Sequence, residues 1–216
     1  MRAGAATALI WVAAVAGTAA IAAPSRFEAD VLGELNLLRA DPPRYARGVA
    51  ATRSRFDGRV LRGRSRDEID ILTHEGVGAV DEAVAALRAA SPVPTLEQGD
   101  ILARSAAILV GEQAGSGGLG HQSRGRGPGE RTAAAGGGPY VGEVITYGHA
   151  DPASVIEQLV VGDGVPGRGH RKSVLNPWYR YAGVACGPHA VHRRMCVIVL
   201  SRTADGRPPS PPKSAP

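Results

Sequence analysis

Three polar residues stand directly behind a glycine at the edge of a sequence element: His121 after Gly120, Glu143 after Gly142 and His170 after Gly169. A glycine lets the backbone approach closely and leaves the next side chain accessible. Two imidazoles with a carboxylate are the donor types that hold a borderline divalent metal such as zinc. The same groups can share protons as an acid–base pair. They can equally form a hydrogen-bonded cluster that pins loops to a sheet with no ligand at all. Spacing alone favours the last reading, because the three lie far apart in the chain. The densest chemistry is the stretch Gly162 to Pro177, with Asp163, Arg168, His170, Arg171 and Lys172 among glycines and prolines.

Several better-defined sites are excluded. Gly115 to Gly120 matches G-x-G-x-x-G, but it follows a helical pattern, whereas a dinucleotide loop follows a strand and opens a helix. Gly164 to Gly169 resembles the start of a phosphate loop, yet His170 stands where lysine is required. There is no G-x-S-x-G elbow and no H-E-x-x-H pair. His74, His149, His189 and His192 read as exposed.

The elements that must position these residues follow from periodicity. Apolar spacing predicts helices over Phe27–Arg39, Thr73–Ala90 and from Thr95 onward, the last with Ile101, Leu102, Ser105, Ala106 and Leu109 inward. Asp41-Pro42-Pro43 ends the first. Arg44 to Asp70 reads as a long polar excursion with at most one short helix, and Gly115 to Gly138 as a glycine-rich loop with little to bury. Tyr140–Tyr147 reads as a strand. Asp151-Pro152 starts a helix that Gly162 stops. Tyr181–Cys186 and Cys196–Ser201 alternate as a hairpin.

Composition narrows the class. With 216 residues and 44% hydrophobic content the chain makes one well-packed domain, and with 4% aromatics its core must be aliphatic. Met1 to Ala22 reads as an export signal: Arg2, an apolar run from Ala5 to Ala16, and a small-x-small site at Ala20-Ile21-Ala22. The run is short for a spanning helix, and no other stretch is long enough to span. The mature chain is therefore expected to be secreted or periplasmic, with a domain over 27–203 and a disordered Pro-rich tail over 204–216. In an oxidising compartment Cys186 and Cys196 read as one disulfide, the alternative being two free thiols. The Arg44–Arg66 run is compatible with long-range attraction to anionic lipid or a cell-envelope polymer, but it reads better as a solvated loop. It lacks the aromatics of a nucleic-acid platform, so no nucleic-acid partner is expected.

Gly164 to Lys172, Asn176-Pro177, Gly183 to His189 and Met195 to Ile198, taken together, resemble the bacterial branch of the CAP superfamily, whose module is also called the SCP domain and which includes cysteine-rich secretory proteins, antigen 5 and pathogenesis-related proteins. Asn36 to Arg39, Asp81 to Ala83 with Leu87, Gly120-His121 and Gly142-Glu143 add to the likeness. The resemblance implies an α+β fold: an α-β-α sandwich with a small, mainly antiparallel sheet between helices. It also implies a central cleft lined by His121, Glu143, His170 and a second acid, which is Asp163 with Glu157 as the alternative. Val144 stands where the family usually has Asn, and Gly169 to Ser173 replaces the eukaryotic G-H-[YF]-T-Q signature. The implied function is a binding or interaction module, a monomer, taking lipid or sterol in an apolar groove. Its cleft would hold a divalent metal, zinc or calcium, on His121 and His170. A metal-assisted hydrolase with Glu143 or Asp163 as base is the alternative, and an envelope-associated structural protein a third reading.

Overall fold

The structure is a computed structural model, and it describes residues 23–209. The expected export signal lies outside those residues, as does the end of the expected tail.

The chain begins with α1 (Arg26–Ala40), whose Ser25 and Glu28 close a reciprocal capping box. Asp41 ends α1 and at once caps α2 (Pro42–Ala51), accepting from the Arg44 N–H. Two prolines fit there because the first helical turn has no partner for their missing N–H. A 3₁₀ turn and the strands β1 (Phe56–Asp57), β2 (Val60–Leu61) and β3 (Ile71–Leu72) follow as a small antiparallel sheet. The Arg-rich excursion is therefore built rather than loose. Its cations find local partners: Arg62 pairs with Asp57 and Asp70, Arg53 with Asp81, and Arg59 donates to the carbonyls of Thr73 and His74.

Helix α3 (Val77–Ala89) starts later than the periodicity suggested, because residues 71–72 are extended. The next helix also starts late. Glu97–Gln98 is a strand, β4, and α4 runs Asp100–Ala114. Within the glycine-rich segment a further helix forms, α5 (Pro128–Ala134), burying Arg131 and Thr132 where sequence predicted little burial. Then come β5 (Gly142–Tyr147), α6 (Pro152–Val161), α7 (Gly169–Val174), β6 (Tyr181–His189) and β7 (Arg193–Ser201). Asp151 caps α6 through the Ser154 N–H, and Gly162 ends it in the left-handed region, as its sequence requires.

The main sheet has the order β4-β6-β7-β5, with β4 parallel to β6 and the other pairs antiparallel. Its strands are apolar on both faces because helices cover both. Met195, Val197 and Val199 of β7 meet Leu102, Ala106 and Leu109 of α4. Their neighbours Cys196, Ile198 and Leu200 face the other way, onto a core with Val31, Leu35 and Leu38 of α1 and Ile156 and Leu159 of α6. This is the α-β-α sandwich. Cys186 and Cys196 sit directly opposite each other across the hairpin and form a disulfide.

The tail is ordered further than its composition suggested. Asp205 and Gly206 accept through their carbonyls from the N–H groups of Gly138 and Tyr140, and Arg207 donates to the Gly136 carbonyl. These bonds anchor the turn after α5. Among the described residues no helix is long and apolar enough to cross a membrane.

Candidate functional site

Glu143 lies on β5, the outer strand of the sheet, with its side chain 1% exposed. A buried carboxylate needs a partner, and here it is Arg131, which the sequence reading missed. Arg131 is fully buried on α5 and donates from Nη2 to both Glu143 oxygens, at 2.8 and 2.6 Å. Its Nη1 donates to the carbonyls of His121 and Arg126. One guanidinium thus fixes the carboxylate and the loop that carries His121. Its signal in the sequence was faint, an arginine four residues after a Gly-Pro helix start.

His121 completes the group. Its Nδ1 lies 2.9 Å from Glu143 Oε1. The carboxylate accepts, so Nδ1 is the nitrogen that carries a proton toward Glu143. His170, at the start of α7, stands near enough that His121 adds to the lowering of its pKa below the ordinary 6.5, burial being the larger cause. His170 is then neutral at neutral pH.

A measurement follows. Because the folded pKa of His170 is depressed, the fold disfavours its proton. The associated stability is complete above pH 6.5 and lost as pH falls below it, where the unfolded chain takes up the proton first. The His170 ring should titrate below 6.5 by NMR, and His121→Ala should move it back upward. A wild-type value at or above 6.5 would refute this.

Asp163 is placed elsewhere. Its two oxygens accept from the N–H groups of His74 and Glu75, both at 2.7 Å, just ahead of α3. Arg168 reinforces the bracket by pairing with Glu75 and Glu82, and Arg171 adds a second pair to Glu82. The focal stretch is thereby tied to α3. Glu157, the alternative acid, is buried on α6 and accepts from Arg64 at 2.6 Å and Thr52 at 3.0 Å. The structure thus joins His121 to Glu143, sets His170 within electrostatic reach of His121 and engages Asp163 and Glu157 in separate contacts.

Next to His170 opens a cavity of about 310 Å³. Phe56, Leu61, Ile71, Val80, Ile145 and Val161 give it an apolar wall. That volume is at the small end for ligand pockets. The short strands β1 to β3 supply much of the wall, so the Arg-rich excursion builds the cavity. Arg55, Glu157, His149, Ser154, Asp163 and His170 add polar groups to its lining, and Glu68 stands beside Arg55 and His149. Glu68 is fully buried in its side chain. Burial works to raise its pKa, yet the neighbouring His149 ring and the Arg64 N–H hold it down at about 2. His149 and His189 are buried, at 4% and 2% exposure, where sequence suggested exposed rings. His189 earns its burial differently, hydrogen-bonding the Gly118 carbonyl and stacking on His192.

Against known families, the model described as "CAP: Cysteine-rich secretory protein family" matches residues 82–200, more than half of the chain. The chain belongs to this family. Among solved structures it is similar to an extracellular protein containing an SCP domain from Bacillus anthracis str. Ames, with 19% identity, a TM-score of 0.43, and coverage of 60% of this chain. It spans 39% of that protein's length. No curated protein matches.

Two further features of this CAP domain gain a physical reason. Asn36 closes a pair of hydrogen bonds with the Leu96 backbone, N–H and carbonyl. Arg39, fully buried, donates to the carbonyls of Pro94, Val174, Asn176 and Tyr179. The N-x-x-R pattern therefore clamps α1 to the loop before β4 and to the end of α7. It is a structural device at a distance from the cleft.

Among the described residues no group of three or more His, Cys, Asp or Glu side chains is arranged to hold a metal ion. Glu143 is committed to Arg131 and Asp163 to backbone amides, which leaves the two imidazoles. Two nitrogens are fewer than the three or four protein ligands of a zinc site, and calcium takes six to eight oxygens.

Proposed function

We propose that this CAP domain is an exported binding module that takes a small aliphatic ligand in the cavity beside His170. The apolar cavity of about 310 Å³ carries the reading. A void this size lined by aliphatic side chains forgoes packing energy unless something fills it. Export fits the Met1–Ala22 sequence and the Cys186–Cys196 disulfide, which persists in oxidising compartments. The Arg44–Arg66 run gives little support to a polymer-binding structural role, since several of its cations are already paired.

The test is displacement of 1-aminoanthracene, an uncharged solvatochromic dye, by octane or 1-octanol. The dye should gain fluorescence in the wild type and lose it on addition of either competitor. Val161→Trp, which fills the cavity, should abolish the gain while circular dichroism stays unchanged. A dye response that survives Val161→Trp would sink the reading.

The second reading concerns the imidazoles. Zinc held by His121 and His170 would supply a Lewis acid in the cleft. The chain's own part is to disfavour a proton on His170 by burial and to orient His121 through Glu143 and Arg131. With only two protein ligands, calorimetry should find weak zinc binding that His121→Ala with His170→Ala removes. Binding that the double variant retains would locate the metal elsewhere.

A further inference from the structure

The chain has one tryptophan outside the expected export signal, Trp178, and it is 63% exposed. The turn that carries it is fixed. Asn176 Oδ1 accepts from the Trp178 N–H at 2.9 Å, and Arg180 donates to the carbonyls of Pro177 and Tyr179. The buried Arg39 holds the carbonyls of Asn176 and Tyr179 from within. A ring held out by this many bonds forgoes burial by construction. The Arg202 guanidinium lies 5.2 Å from its centre, and beside it runs an open groove along Ala86, Leu175 and Pro177. A second exposed ring, Tyr140, belongs to the same end of the sheet. Its carbonyl accepts from Ser201 Oγ, and the Ser201 carbonyl accepts from the Arg180 N–H.

The charges at this end are uneven. Lys172, Arg180 and Arg202 are exposed and, among the described residues, paired with no carboxylate. The nearby acids are engaged or turned away. Glu82 pairs with Arg168 and Arg171, and Asp205 with Arg207. Glu97 is in register with Tyr181, which packs against α4, so its side chain lies on the α4 side of the sheet. Asp100 opens α4 itself. Trp178 is on the other side, where α3 and α7 wall its groove. Amphipathic rings flanked by free cations are the two residue classes of a membrane-surface contact, the rings at headgroup depth and the cations on phosphates. A protein partner would instead anchor on a closed, fitted pocket.

We propose that the Trp178 face docks peripherally on an anionic lipid bilayer, with the Trp178 ring among the headgroups and Lys172, Arg180 and Arg202 against their phosphates. The proposal is independent of the aliphatic-ligand reading, since no residue of this groove lines the cavity beside His170.

The test uses the full chain with Trp11→Phe, which makes Trp178 the one fluorescent tryptophan. Vesicles are brominated phosphatidylcholine, alone or with about one quarter phosphatidylglycerol. The anionic vesicles should quench Trp178 and shift its emission to the blue, the plain ones should not, and high salt should reverse the effect. Adding Lys172→Gln and Arg202→Gln should raise the anionic lipid needed about 25-fold, about fivefold for each cation. The control moves the probe to the far end of the hairpin, as Val191→Trp with Trp11→Phe and Trp178→Phe. Val191 is exposed there, and the probe should stay unquenched. Trp178 left unquenched, quenched equally by plain vesicles, or quenched no more than the Val191→Trp probe would overturn the docking. So would dextran sulfate, and not vesicles, protecting Trp178 from acrylamide, which would assign the face to a soluble acidic partner.

Discussion

Replacing Arg131 with Met lowers the stability of the domain by about 3–5 kcal/mol, the cost of removing one partner of a buried ion pair. The side chain is fully buried and makes bonds to both Glu143 oxygens and to two loop carbonyls. Methionine matches the length of the stem and removes every one of these donors. Glu143, 1% exposed, is then left as a buried carboxylate with only the His121 ring. Lysine should rescue poorly, because a single ammonium cannot reproduce the planar fork. Adding Glu143→Leu to Arg131→Met should restore most of the loss, since the unpaired charge is what destabilises. Urea denaturation of the three variants measures this. A loss below 1 kcal/mol for Arg131→Met, or a double variant less stable than the single, would show that the pair does not carry the site.

The second large effect is at Gly183. This residue lies on β6 beneath α4, and a Cβ there would sit 1.9 Å from the Ala103 nitrogen and 2.2 Å from the Leu102 carbonyl carbon. Those are backbone atoms of a helix, so no rotamer change relieves the clash. The helix must lift, and with it Leu102, Ala106 and Leu109, which fill one of the two cores. Gly183→Ala should cost more than about 3 kcal/mol, beyond the usual range for overpacking. Expression is expected to fall with it. Gly78→Ala is the control: it lies on α3, with nothing within 4 Å of the added carbon. It should be neutral or gain about 0.5–1 kcal/mol from helix propensity. Similar melting temperatures for the two variants would mean that the close approach of α4 to the sheet is not needed.

How far the sequence reached depended on the range of the interaction. The α6 boundaries were legible because Asp151, Pro152 and Gly162 act on backbone within one turn. The hairpin of β6 and β7 was legible from alternation, and its disulfide from two cysteines on strands that pair. The resemblance carried the fold class. Helix α5 was missed because its buried face is an arginine and a threonine, residues that carry no apolar period. Residues 95–98 were read as helix because the pairing of β4 with β6 joins segments more than eighty residues apart.

By itself, then, the sequence determined the local stops and starts and, through the family resemblance, the sandwich. Tertiary structure alone decided which polar side chains pair: that Arg131 neutralises Glu143, that Asp163 serves α3, and that a cavity forms beside His170. The reason is that desolvation and pairing depend on which surfaces meet. A buried arginine and an exposed one are the same letter until the chain has closed around them.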